Sequence, residues 1–103
     1  MDLSIIIPMF NEAENVDFTL KKVEEAMSSF QGSYEIIAVN DGSANNTLKV
    51  LQEIADRNKR IRVVSYLKNS GRGMALRRGF IEAKGEIVVS IDADLSQPFD
   101  LYG

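Results

Sequence analysis

The sequence predicts an α/β domain of three layers, α/β/α, on a four-stranded parallel sheet. Three observations carry that expectation. Four short segments rich in Ile and Val alternate with three segments of helical period, in the order β-α-β-α-β-α-β. The Ile/Val runs are nearly continuous rather than alternating, which suits parallel strands covered on both faces. The chain has 103 residues, so it forms one domain over 1–103 with one modest core. Right-handed crossovers then place helices on both faces of the sheet, a Rossmann-like arrangement.

The elements follow in order. "LSIII" (3–7) reads as the first strand. In the first helix Val16, Leu20, Val23, Met27 and Phe30 form one apolar stripe, and Asn11 with Glu14 makes a capping box at its start. "YEIIAV" (34–39) is the second strand, and the second helix carries Leu48, Leu51, Ile54 and Ala55 on one face. "IRVVSYL" (61–67) is the third strand. The third helix turns Ala75, Leu76, Gly79, Phe80 and Ala83 inward, with Gly85 as its C′ stop. "EIVVSI" (86–91) is the fourth strand.

Composition removes several function classes. With no cysteine there is no disulfide framework and no thiolate metal site. With no histidine the commonest general base and metal ligand are also missing. Any metal must therefore be held by oxygen, which favours magnesium, manganese or calcium over zinc. A net charge of −3 without a basic stripe argues against nucleic acid as a partner. No apolar run approaches the roughly 20 residues of a membrane span. The expected compartment is the cytoplasm, or the cytoplasmic face of a membrane if a longer parent carries an anchor.

The two kinds of connection differ chemically. Helix-to-strand loops, "QGS", "RNKR" and "KGE", hold turn residues and little else. Strand-to-helix loops read "PMFNE" (8–12), "NDGS" (40–43), "KNSGRG" (68–73) and "DADLSQP" (92–98). All four fall at the carboxyl edge of the sheet, where open α/β folds bind ligands beside a topological switch point. Taken singly, the first three also read as ordinary strand ends, turns and helix entries. The Gly-rich loop is not a dinucleotide fingerprint, because Leu76 stands where a third glycine belongs.

The acidic pair is harder to explain as structure alone. Asp92 and Asp94 raise each other's pKa unless a cation joins them, and a helix cap would account for only one of them. A nucleoside diphosphate held through a divalent cation uses all four loops. Mg²⁺ or Mn²⁺ would reverse the local sign of an acidic protein and stabilise the diphosphate as a leaving group. Phe10 would pack on the base. Asp41 accepts hydrogen bonds only, which suits uracil or guanine better than adenine.

With these residues in view, the sequence resembles the family 2 glycosyltransferases of GT-A fold. "SIIIPMFNEAENV", "VNDGS", "NSGRGMALRRG" and "DADLSQP" match that family's ordered motifs across essentially the whole chain. The first and last are most similar to the branch that moves a hexose onto a polyprenyl (dolichol or undecaprenol) phosphate. The resemblance implies transfer of a hexose from a UDP- or GDP-sugar to an acceptor, with inversion. It implies a nucleoside pocket of Pro8, Phe10, Glu12, Val39 and Asp41, with Asp92 and Ala93 at the ribose and sugar diphosphate. Asp92 and Asp94 would serve the metal, Asp94 supporting the leaving group. Ser96 stands where that branch often has glutamine, and Gln97 comes one residue later. Catalytic domains of the family are considerably longer, so the chain is expected to be the nucleotide-sugar-binding half, truncated after the Asp-x-Asp motif and inactive alone. The general base would lie outside it.

Two other classes compete. A receiver-like signalling module also gathers carboxylates at a strand edge, but after its first and third strands, where this chain has "PMFNE" and "KNSGRG". An interaction role would follow from a truncated sheet, whose exposed edge invites self-association.

Overall fold

The computed structural model describes residues 1–10, 15–42, 46–66 and 68–91. The elements are β1 (Leu3–Met9), α1 (Val16–Ala26), β2 (Tyr34–Asp41), α2 (Thr47–Arg57), β3 (Ile61–Tyr66), α3 (Arg72–Glu82) and β4 (Ile87–Ser90). The four strands form one parallel sheet in the order β3-β2-β1-β4. A receiver of flavodoxin-like topology would set β1 between β2 and β3, whereas this order opens the dinucleotide-type winding 3-2-1-4.

Topology dictates the layers. From β1 to β3 the chain advances in one direction, and α1 and α2 share one face. It then reverses across β2 and β1 to reach β4, so a right-handed crossover moves α3 to the other face. The core divides accordingly. Leu3, Ile5, Ile7 and Met9 of β1 pack with Ile36 and Ala38 against Val16, Leu20 and Val23 of α1 and Leu51 and Ile54 of α2. Ile6, Ile37 and Val39 face Ala75 of α3. Each fully buried Ile or Leu contributes about 1.5–3 kcal/mol relative to exposure. The centre of the sheet is therefore the stable part of the molecule. Gly79 lets α3 approach closely, since a Cβ there would lie 2.5 Å from Ile6 Cγ2.

Several boundaries differ from expectation. β1 continues through Pro8 to Met9 rather than stopping before the proline. Ile87 and Ile91 donate to the carbonyls of Asp2 and Ile6, so even-numbered β1 residues face β4. The β1–β4 register ends at Ile6↔Ser90, and the missing Pro8 N–H costs no ladder bond. The capping pair Asn11 and Glu14 lies outside the described residues, and Asn15 stands at the N-cap of α1. Phe30 falls beyond α1 and meets Tyr34 edge-on at 6.2 Å. Phe80 is 55% exposed rather than inward-facing. Gly85 is no left-handed stop, because Ala83 caps α3 and the positive-φ glycines among the described residues are Gly42 and Gly71.

Candidate functional site

Three of the four strand-end loops have described residues at the carboxyl edge, and β4 ends there too. Pro8 and Val39 are register partners in β1 and β2, and Asp41 lies two residues beyond Val39. Phe10, just past β1, is 46% exposed, so its ring is open to a partner. Val39 is fully buried on the α3 side, a position that supports a pocket from beneath without presenting a surface. Pro8 is half-buried beside it, in the neighbouring strand. Glu12, Asp92, Ala93 and Asp94 lie outside the described residues. β4 itself ends at Ser90, and the Ile91 N–H still donates to the Ile6 carbonyl at 3.0 Å.

Asp41 organises the middle of this edge. Its side chain is buried, and its carboxylate gathers the loop that enters α3. Ser70 N–H donates to Oδ1 at 2.9 Å and Gly71 N–H to Oδ2 at 3.1 Å. Asn69 Nδ2 donates to Oδ2 at 3.1 Å and to the Asp41 carbonyl at 3.0 Å. Burial of a carboxylate is costly unless its lone pairs are satisfied, and here two backbone N–H groups and the Asn69 amide supply three hydrogen bonds. The expected base-recognition residue thus also fixes a neighbouring loop.

Gly42 extends the junction. Its φ is +62°, and a Cβ would lie 2.3 Å from Asn69 N and 2.6 Å from Lys68 C. The β2–α2 and β3–α3 loops therefore touch backbone to backbone, and only glycine fits between them. Gly71, at φ +90°, occupies the N-cap of α3. "NSGRG" is consequently neither a free helix entry nor a simple phosphate loop; its first three residues are bonded to Asp41.

Two buried polar atoms close the description. Asn40 Nδ2 donates to Ser65 Oγ at 3.1 Å, while Asn40 Oδ1 and the Tyr66 hydroxyl have no hydrogen-bond partner in the structure. Tyr66 is the register partner of Asp41. Burial pushes its phenol well above the ordinary tyrosine range, and the nearby Asp41 carboxylate adds to the shift. The Arg78 guanidinium lies 5.1 Å from the Tyr66 ring centre, on the α3 side.

Sequence reading missed the roles of Asn69, Ser70 and Tyr66. The available signal was an Asn-Ser-Gly run directly before a helix, which marks a loop needing partners but does not name them. Among the described residues no group of three or more acidic side chains could hold a metal.

The comparisons agree with this architecture. Residues 4–102 match the family model described as "Glycosyl transferase family 2". An uncharacterized glycosyltransferase of Synechocystis sp. is 41% identical over 98% of this chain and 32% of its own length. The undecaprenyl-phosphate 4-deoxy-4-formamido-L-arabinose transferase of Edwardsiella ictaluri is 36% identical over 93% of this chain and 30% of its own. Among solved structures, a mannosyltransferase from Pyrobaculum calidifontis in complex with GDP-Man and Mn²⁺ superposes with a TM-score of 0.78. It is 23% identical and is matched over 93% of this chain and 32% of that one. S. aureus TarS 1–349 in complex with UDP gives 0.78 at 29% identity, over 91% of this chain and 28% of that one.

The chain belongs to glycosyl transferase family 2, a family of transferases, and its fold is of the GT-A type. It spans about a third of the length of the curated relatives it matches. The receiver reading is set aside by both the strand order and the family match.

Proposed function

We propose that this chain is the donor-binding part of an inverting glycosyltransferase that takes a hexose from a UDP- or GDP-sugar. The observation that carries the reading is the switch in strand order at β1 in a parallel sheet, where β1, β2 and β4 all end at one edge. Phe10 and Asp41 flank the nucleoside there, with Pro8 and Val39 beneath, and Glu12 follows Phe10 two residues on in the sequence. Asp92 and Asp94 follow β4 directly in sequence, with Ala93 between them at the sugar diphosphate. They would hold Mg²⁺ or Mn²⁺, which supplies charge neutralisation to the leaving diphosphate. An acceptor oxygen attacks the anomeric carbon, and the bond to the nucleoside diphosphate breaks. The undecaprenyl-phosphate transferase among the relatives supports a polyprenyl phosphate as the acceptor.

Titration of UDP and GDP in the presence of Mn²⁺, followed by amide NMR, tests the reading. One nucleotide is expected to shift the amides at Phe10, Asp41 and Gly42, and Asp92→Asn is expected to abolish the Mn²⁺-dependent binding. No shift at these positions with either nucleotide would refute it.

A further inference from the structure

The amino-terminal edge of the sheet, opposite the candidate site, holds a second buried carboxylate. Glu35, in β2, is 2% exposed and gathers groups from β1, β3 and the turn after α3. The Ser4 hydroxyl of β1 donates to Glu35 Oε2 at 2.6 Å, and the Lys84 N–H donates to the same oxygen at 2.8 Å. Arg62 of β3 donates from Nη1 to Glu35 Oε1 at 2.8 Å and to the carbonyl of Glu82, the last residue of α3, at 2.9 Å. Ser4 Oγ in turn accepts the Gly85 N–H at 2.8 Å.

The turn between α3 and β4 is thereby fastened to β1, β2 and β3 together. Gly85 gives an independent sign of the same contact. A Cβ there would lie 2.6 Å from both Leu3 C and Ser4 N, so the turn rests flat on the β1 backbone.

This fastening matters because the packing that otherwise sets the position of β4 is partial: Val89 and Ile91 lie against one core cluster and Val88 against the other, none of them fully enclosed. The strand is four residues long, and none of the four is fully buried. Ile87 is 63% exposed. Strand register is normally fixed by a buried face, and it is less strongly specified where that face is only partly covered. A slip of one residue would shift the end of β4 by about 3.3 Å and reverse its faces. Asp92 is the next residue in the chain after Ile91.

We propose that Glu35 is a positioning residue: through Lys84, Ser4 and Gly85 it locks the register of β4 on β1, and so sets where the Asp92-Ala93-Asp94 run begins. The consequence for binding rests on the donor-site reading, whereas the register lock itself does not. Two substitutions test it, Glu35→Ala and the milder Ser4→Ala, which keeps the carboxylate and its pairing with Arg62. Amide exchange at Ile87 and Ile91 is compared with that at Ile37 in the central strand, and Mn²⁺-dependent binding of UDP or GDP is measured alongside.

Both variants are expected to speed exchange at Ile87 and Ile91 by roughly tenfold relative to Ile37. They are expected to weaken nucleotide binding about tenfold, as loss of a residue that orients metal ligands does. Unchanged exchange at Ile87 and Ile91 in Ser4→Ala would overturn the lock, even if Glu35→Ala failed to fold. Faster exchange with unaltered binding, while Asp92→Asn abolishes binding, would overturn the positioning role. If Asp92→Asn has no effect on binding, the donor-site reading fails by itself and the exchange data still decide the lock.

Discussion

The side-chain amide of Asn69 spans both ends of Asp41, donating to its carbonyl at 3.0 Å and to its carboxylate at 3.1 Å. With the Ser70 and Gly71 N–H groups on the same carboxylate, a residue at the end of β2 holds the start of α3 in place. Replacing the carboxylate by an amide turns one acceptor into a donor facing N–H groups. Asp41→Asn is therefore expected to destabilise the fold by about 2 kcal/mol, and Asn69→Ala by about 1 kcal/mol, since the two backbone bonds survive in the latter. Urea unfolding of both variants checks the order, which reverses if Asp41 serves only a ligand.

Glycines at this edge are not equivalent. Gly42→Ala meets a positive φ and a backbone atom at 2.3 Å, so a loss of about 3 kcal/mol is expected. Gly73→Ala sits within α3, where a Cβ meets nothing within 4 Å, and a gain of about 0.5–1 kcal/mol is expected. Thermal melts of the pair give opposite signs.

Acid sensitivity follows from Glu35. Burial raises its carboxyl, but the Ser4 hydroxyl, Arg62 and the Lys84 N–H outweigh burial and hold it below its ordinary value of 4.5. A depressed folded-state pKa contributes stability that is present above the unfolded value and lost as pH falls through the folded one. The wild-type chain should lose stability from about pH 5 downward, and Glu35→Gln, less stable at neutral pH, should show a flatter acid limb. Asp2, held low chiefly by the Ser33 N–H, adds to the slope in both proteins. Parallel acid limbs in wild type and variant would show that Glu35 is not the sensor.

The outer strand has its own consequence. Among the described residues β4 pairs with β1 alone, and Ile87, Ile81 and Phe80 are exposed beside or before it. Such an edge favours pairing between copies. Sedimentation is expected to show concentration-dependent dimers of this chain, and Ile87→Lys to restore monomers. A monomer at every concentration would refute this.

How much of this could be read in the residues depended on range. The Ile/Val runs and the Val16, Leu20, Val23 stripe report a local period, and the elements they predict are present. Strand order was not local. Whether β4 joins beside β3 or beside β1 depends on the hand and direction of a crossover, which no motif encodes. Phe80 illustrates the converse failure, since an apolar residue at the right spacing faces outward. The strand-end motifs located the candidate edge, and Asp41 was singled out for its acceptor chemistry. Its bonds to residues 69–71 cross about 30 positions of sequence, a distance over which a turn motif carries no information. Glu35 was read merely as part of an apolar strand, because the partners that make its burial tolerable come from Ser4, Arg62 and Lys84.

The junction of Gly42 with Asn69 also constrains attempts to build chimeras from this scaffold. A donor segment grafted at 40–43 alone would meet a recipient loop at 68–71 shaped for a different partner. The segments would have to be exchanged as a pair, with Asp41, Gly42, Asn69 and Gly71 drawn from the same parent. On the proposed donor-site reading, nucleotide preference would then transfer as a two-loop unit rather than as a single cassette.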